Sequence, residues 1–172
     1  CHLVVLMVRR PVAGNHALVS RFSAVRILLL NQVFHPDVAA TAQHAHDLAR
    51  HLIAQGHEVD VIASRSIYGE KGATLAKRET IDGIHVHRVG RSLFGKAGIL
   101  ARLIDFAMFY LAATFKAFTV RRPDVVIWFT TPPFIALLGG LLKLLRGSRH
   151  VYWIMDLYPE VLVANDVLRA RS

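Results

Sequence analysis

Acidic residues are scarce in this 172-residue chain, and cysteine is nearly absent. Twelve Asp and Glu stand against 21 Lys and Arg, leaving a formal charge of +9, and no acid occurs before Asp37 although Arg9, Arg10, Arg21 and Arg26 precede it. A basic chain attracts nucleic acid, anionic lipid or phosphorylated substrates, so the sign of the charge does not choose among them. The single Cys1 excludes an internal disulfide and suits a reducing compartment. No secretory signal is expected from these residues, since the apolar run Leu3 to Val8 is short and Arg9-Arg10 follows it instead of preceding it. G-x-G-x-x-G is absent, which removes support for a nicotinamide or flavin dinucleotide enzyme; G-x-x-x-x-G-K-[ST] and H-E-x-x-H are absent too. The ten histidines form no helical metal pair: His44, His46 and His51 fall on the polar side of one helix and His85 and His87 on one strand face, where a solvated role is expected. No internal repeat is present.

What the chain does have is 53% hydrophobic residues, enough for one domain with a substantial core. Arg26 to Asn31 is a short apolar run of the kind that forms a parallel strand buried on both faces. Thr41 to Gln55 carries Ala42, Ala45, Leu48, Ala49, Leu52 and Ile53 at helical spacing, and Gly56 stops it before a second strand, His57 to Ala63. Such a strand-helix-strand unit makes parallel neighbours. Asp82-Gly83, between Thr80-Ile81 and the run Ile84 to Val89, predicts a tight hairpin, because both turn positions tolerate positive φ. A long apolar, aromatic helix is expected over Ala97 to Val120, a strand over Asp124 to Phe129, a helix containing Gly139-Gly140 over Phe134 to Arg146, a strand over Arg149 to Met155, and a last helix opening at Pro159. The alternation implies a Rossmann-like α/β fold, a parallel sheet with helices on both faces and a small antiparallel hairpin at one edge.

Ligands of such sheets bind beyond the carboxyl ends of the strands. Three segments reach that edge: Asn31 to Thr41, Thr130-Thr131-Pro132-Pro133, and Asp156 to Glu160. Asn31, Pro36, Thr41, Thr130, Thr131, Pro132, Tyr158 and Glu160 are the substrate-binding candidates they supply. The first segment leads into a helix N-terminus able to receive a phosphate, or is an ordinary connection with Thr41 as N-cap. Asp156 is a catalytic candidate by position and a helix cap by residue type; Glu160 suits a first turn. Arg102, Asp105 and Lys116 within the long apolar helix argue against a membrane span. That leaves a core helix, or one lying on an anionic membrane through Arg91, Lys96, Arg102, Lys116, Arg121 and Arg122.

The segments Arg26-Ile-Leu-Leu-Leu-Asn-Gln-Val-Phe-His-Pro-Asp, Leu48 to Ile62, Asp82-Gly-Ile-His-Val, Pro123-Asp-Val-Val-Ile, Thr130-Thr-Pro-Pro and Trp153-Ile-Met-Asp-Leu-Tyr-Pro-Glu together resemble, in order and spacing, the N-terminal domain of family-4 glycosyltransferases. The nearest branch is similar to enzymes of capsule, exopolysaccharide and lipopolysaccharide synthesis, including O-antigen fucosaminyl transferases. The resemblance covers residues 25–172. It implies the N-terminal, acceptor-side half of a GT-B fold, with the paired donor glutamates in a C-terminal domain absent from this sequence. It also implies a retaining, metal-independent transfer without cofactor, from a UDP- or GDP-sugar to a polyprenyl-diphosphate-linked saccharide, in the cytoplasm at the inner face of the plasma membrane, with no nucleic-acid partner. On this reading the chain alone is inactive; the second reading is a noncatalytic remnant or stand-alone acceptor- or membrane-binding module. Val25-Arg-Ile stands where relatives begin with Met-Arg-Ile, so residues 1–24 are expected to be an extension. Two departures stand out: Val38-Ala-Ala-Thr-Ala replaces the Gly-Gly or Gly-x-Gly of many relatives, and Asp156 replaces a histidine.

Overall fold

The computed structural model describes residues 24–67, 74–90, 99–131 and 137–155. The elements are β1 (Arg26–Leu30), α1 (Ala40–Ala54), β2 (Glu58–Ser64), β3 (Arg78–Ile81), β4 (Ile84–Val89), α2 (Ile99–Thr119), β5 (Val125–Trp128), α3 (Leu137–Arg146) and β6 (Arg149–Tyr152). The six strands form one sheet in the order β3-β4-β2-β1-β5-β6. Every pairing is parallel except β3 with β4. This is the α/β architecture expected, and the hairpin turns as predicted: Asp82 has φ of 51° and Gly83 of 82°, and Ile81 faces Ile84 across the turn. The predicted last helix from Pro159 lies outside the described residues. The last strand is shorter than predicted, ending at Tyr152 instead of Met155.

Strand alternation divides the core in two. Ile27, Leu29, Val59, Val61, Ile84, Val86, Ile127 and Phe129 meet Ala45 and Ala49 of α1 on one face. On the other, Leu28, Leu30, Ile62, Val126 and Trp128 meet Phe109, Ala113 and Ala117 of α2 and Leu142 of α3. Small alanines in α1 let that helix lie close to the sheet. Arg26 fastens the amino-terminal edge, its backbone N–H donating to Asp124 at 2.9 Å and its guanidinium pairing with Glu58 at 2.8 Å. Arg146, in the last turn of α3, donates to the carbonyls of Ala117 and Val120 and so satisfies acceptors left open at the end of α2.

The glycine pair in α3 has a packing reason at Gly139. A Cβ there would stand 3.2 Å from both Trp128 and His150, whose rings stack at 5.7 Å. Trp128 Nε1 donates to His150 Nδ1 at 2.8 Å, which requires that nitrogen to be unprotonated. Burial, reinforced by the charge of Lys143, holds the His150 imidazole below its ordinary value. A base whose folded pKa is lowered is protonated first in the unfolded chain, so its contribution to stability is fully present above its unfolded pKa and is lost as pH falls below it. His46 is lowered in the same direction. The urea midpoint is therefore expected to fall between about pH 7.5 and about pH 5, with a shallower fall in His150→Gln. Equal slopes in the two proteins would show that His150 carries no part of the acid sensitivity.

Candidate functional site

The order of strands creates a crevice beside β1. From β1 the chain crosses through α1 to β2 on one side, while β5 pairs on the other, so connections leave in opposite directions at the carboxyl end of β1. Gln32 joins the two sides there, its N–H donating to Thr131 O at 2.9 Å and its carbonyl accepting from Ser64 N at 2.7 Å.

Asn31 is fully buried at this point. Its side-chain amide donates to Val33 O at 2.8 Å and Thr41 O at 3.2 Å, bracing the loop against the first turn of α1. Among the described residues Asn31 Oδ1 has no hydrogen-bond partner, nor does Oγ1 of Thr130, a residue only 2% exposed just past β5. Buried polar atoms rarely remain unsatisfied, and two of them at the ligand edge of a parallel sheet mark acceptor and donor capacity available to a ligand or water. Thr131 is half-buried, and Pro36, joined to His35 by a cis peptide, is exposed on the loop.

The loop is shaped by a carboxylate. Asp37, buried, accepts the Ala39 N–H at 3.0 Å, and Ala39 is the N-cap of α1. Thr41 therefore does not cap the helix as expected from its residue type; it lies one position inside, and no side chain caps the N-terminus. Val38, 82% exposed, projects from the loop where a glycine would leave open backbone.

Beneath the loop, His35 stacks on His46 at 4.6 Å, and Phe34 meets His46 edge-on. Burial, then the neighbouring His35, holds His46 below its ordinary value, while Asp82, 3.3 Å away, pulls the other way. Arg88, 3% exposed, donates to the carbonyls of His35 and Ser64 and pairs with Glu79 at 2.6 Å. His46 is thus not the solvated residue its helix position suggested. Nor is His87, whose Nε2 lies 2.7 Å from Asp60. Neither pairing was visible in sequence because the partners are brought from other strands and loops.

The structure brings Asn31, Thr41, Thr130 and Thr131 to one edge. Asp156, Tyr158, Glu160, Pro132, Arg91 and Lys96 lie outside the described residues, as does the side chain of Arg102. Of the other basic candidates, Arg121 and Arg122 are exposed and Lys116 is half-buried beside a groove lined also by Arg65, Lys77 and Arg78. Those last three were not foreseen; the only local signal is the Lys77-Arg78 pair entering β3. Among the described residues no group of three or more potential metal ligands occurs.

The family model for Glycosyltransferase Family 4 matches residues 41–165. Among solved structures, the chain is similar to the catalytic domain of Starch Synthase IV from Arabidopsis thaliana, solved bound to ADP and acarbose. That likeness has a TM-score of 0.53 and 14% identity, and covers 81% of this chain and 32% of that one. The present chain thus spans about a third of that catalytic chain. No curated protein matches.

The two unsatisfied atoms have opposite expected behaviour under substitution. Thr130→Val removes a hydroxyl without a partner and keeps the shape, so stability to urea should hold or rise by about 1 kcal/mol. Asn31→Asp removes both braces and buries a charge, and should cost roughly 2–4 kcal/mol at neutral pH. A destabilised Thr130→Val would show that its hydroxyl is satisfied in solution.

Proposed function

The chain belongs to Glycosyltransferase Family 4, and on that premise we propose that it serves transfer of a sugar from a UDP- or GDP-sugar to a polyprenyl-diphosphate-linked saccharide in capsule, exopolysaccharide or lipopolysaccharide assembly. The observation that carries the transferase reading is the crevice at the carboxyl end of β1, with Asn31 Oδ1 and Thr130 Oγ1 unsatisfied beside the uncapped N-terminus of α1. The ADP in the structure of the same fold supports a nucleotide-diphosphate sugar as donor. This chain is the acceptor-side half of a GT-B enzyme, and a C-terminal domain closes the cleft and holds most of the donor. The transfer retains anomeric configuration and uses no metal.

On this reading Asp156, following the segment that leaves β6, accepts the proton of the acceptor hydroxyl or orients that hydroxyl toward the donor carbon. Tyr158 and Glu160 help position the acceptor, with Thr130, Thr131 and Pro132 opposite and Pro36 on the α1 loop. Transfer from radiolabelled UDP- and GDP-sugars to a polyprenyl-diphosphate saccharide by the full-length enzyme tests the activity. Asp156→Asn keeps size and much of any capping ability. It should lower turnover about 10²- to 10⁴-fold with little change in melting temperature. Turnover within a few-fold of wild type would make Asp156 structural.

The same reading places the enzyme on the cytoplasmic face of an anionic membrane. No helix among the described residues is long and apolar enough to cross one. The support comes from the two faces of α2. Phe109, Ala113 and Ala117 are buried against the sheet, whereas Leu100, Leu103, Met108, Leu111 and Phe115 are 46–74% exposed. Exposed Arg121 and Arg122 follow the helix. Each basic residue near a charged surface adds only about 1 kcal/mol, so several act together with the apolar stripe. Sedimentation with anionic vesicles should weaken steeply as salt rises and weaken further in Leu111→Gln/Phe115→Gln. Binding indifferent to salt and lipid charge would leave α2 a core helix only.

A further inference from the structure

Helix α2 packs on β2 and β4, its inner residues meeting Leu28, Leu30, Ile62, Val126 and Trp128 with Val89 beside them, near the β3–β4 edge of the sheet. Between the helix and that edge runs an open groove of about 590 Å³. Among the described residues, Arg65, Lys77, Arg78, Arg88 and Lys116 line it and no acidic residue does. They come from the end of β2, the entry to β3, the end of β4 and the last turns of α2. Arg88 is neutralised by Glu79, and the Nε of Arg65 donates to the Leu75 carbonyl at 3.1 Å. Lys77, Arg78 and Lys116 form no ion pair among the described residues.

Lys116 lies among these like charges. Burial, then the charge of Arg78, holds its ammonium below the ordinary value, and the opposing pull of Asp60 is the smaller influence. Asp60 is itself held by His87 at 2.7 Å. A multiply charged anion would relieve this crowding and accept hydrogen bonds from several of the cations at once. The groove also has an apolar rim. Phe115, 74% exposed, lines it and begins the exposed row on α2 that continues through Leu111 and Met108.

We propose that this groove seats the diphosphate of the lipid-linked acceptor, with Arg65, Lys77, Arg78 and Lys116 on the phosphate oxygens and the hydrocarbon chain leaving past Phe115 along the outer row of α2. The inference rests on the acceptor reading above and adds to it a second site with its own lining. It separates two tasks: the groove anchors the charged end of the acceptor, and the crevice receives its sugar. No bond is made or broken in the groove.

The test is binding of farnesyl diphosphate, inorganic diphosphate and farnesol to the purified full-length protein by calorimetry, in the absence of any donor. Farnesyl diphosphate should bind more tightly than inorganic diphosphate, and farnesol should not bind measurably. Lys77→Glu/Arg78→Glu, two exposed positions whose loss leaves the core intact, should weaken farnesyl diphosphate at least about tenfold, the loss expected when charge-assisted phosphate contacts are removed. Lys143→Glu/Arg149→Glu, the same charge change at two exposed positions near the β6 end of the sheet, should leave it within about twofold, since exposed charges beyond a Debye length are screened. Phe115→Ala should weaken farnesyl diphosphate and leave inorganic diphosphate unchanged. Equal loss in both double variants, or none in the groove variant, overturns the site; inorganic diphosphate binding as tightly as farnesyl diphosphate overturns its assignment to a lipid. Because no sugar transfer is measured, groove-dependent binding by a protein that glycosylates nothing would sink the transferase reading alone, and transfer unaffected by Lys77→Glu/Arg78→Glu would sink the groove alone.

Discussion

Backbone pairing of β1 along both of its edges is the constraint from which the rest of this molecule follows. Its five residues run parallel to β2 from Arg26 opposite Glu58 to Leu30 opposite Ile62, and parallel to β5 from Ile27 opposite Val125 to Leu30 opposite Trp128. A strand committed on two edges and covered on two faces has no exposed direction except its ends. At the amino end Arg26 closes the sheet with Glu58 and Asp124. At the carboxyl end the chain must turn away, and Asn31 makes that turn by holding the loop and the start of α1 with a single amide. The crevice is the geometric residue of this commitment: neighbours on the two sides are reached by connections that part there.

The second organising element is α2, a helix asked to do different things on its two sides. Residues 105, 109, 113 and 117 form an i+4 row toward the sheet, all four buried. The outer row is as apolar and meets solvent in this chain. The helix packs on β2 and β4, and the groove runs beside its last turns where those strands end and β3 begins. Its basic character is not a property of any segment. Apart from the Lys77-Arg78 pair, the contributing positions come from separate segments and meet because β2, β4 and α2 end or pass at one place. Family membership supplies the reaction class, while the tertiary structure forms two concavities at the carboxyl ends of the strands, the crevice beside β1 and the basic groove.

Legibility of the fold in sequence tracked how local each determinant was. Buried parallel strands announce themselves as short apolar runs, and Ile27 to Leu30, Val59 to Ala63 and Val125 to Trp128 did so. Asp82-Gly83 was legible because positive φ at two successive positions is a backbone requirement that few residue pairs meet. Thr41 was misread as a cap because Asp37 reaches the N-cap backbone from earlier in the loop, and His46 and His87 were misread as solvated because His35, Asp82 and Asp60 converge on them from elsewhere. Gly139-Gly140 was visible as an anomaly, but the Trp128 and His150 rings that explain Gly139 come from two different strands.

Sequence alone determined the α/β class, the parallel arrangement, the edge hairpin and that the Asn31 loop and Thr130-Thr131 would reach the ligand edge, since these depend on periodicity, turn chemistry and a general rule of parallel sheets. Its resemblance to family-4 glycosyltransferases extended that to a reaction class. Only the tertiary structure decided that Asn31 is a brace with an acceptor to spare, that Thr130 keeps an unsatisfied hydroxyl, that Arg88 is buried against the His35 loop, and that four further cations share one groove. Burial and unmet hydrogen bonds are properties of what surrounds an atom, and charge crowding depends on distance in space, so none of these could be written into any one stretch of chain.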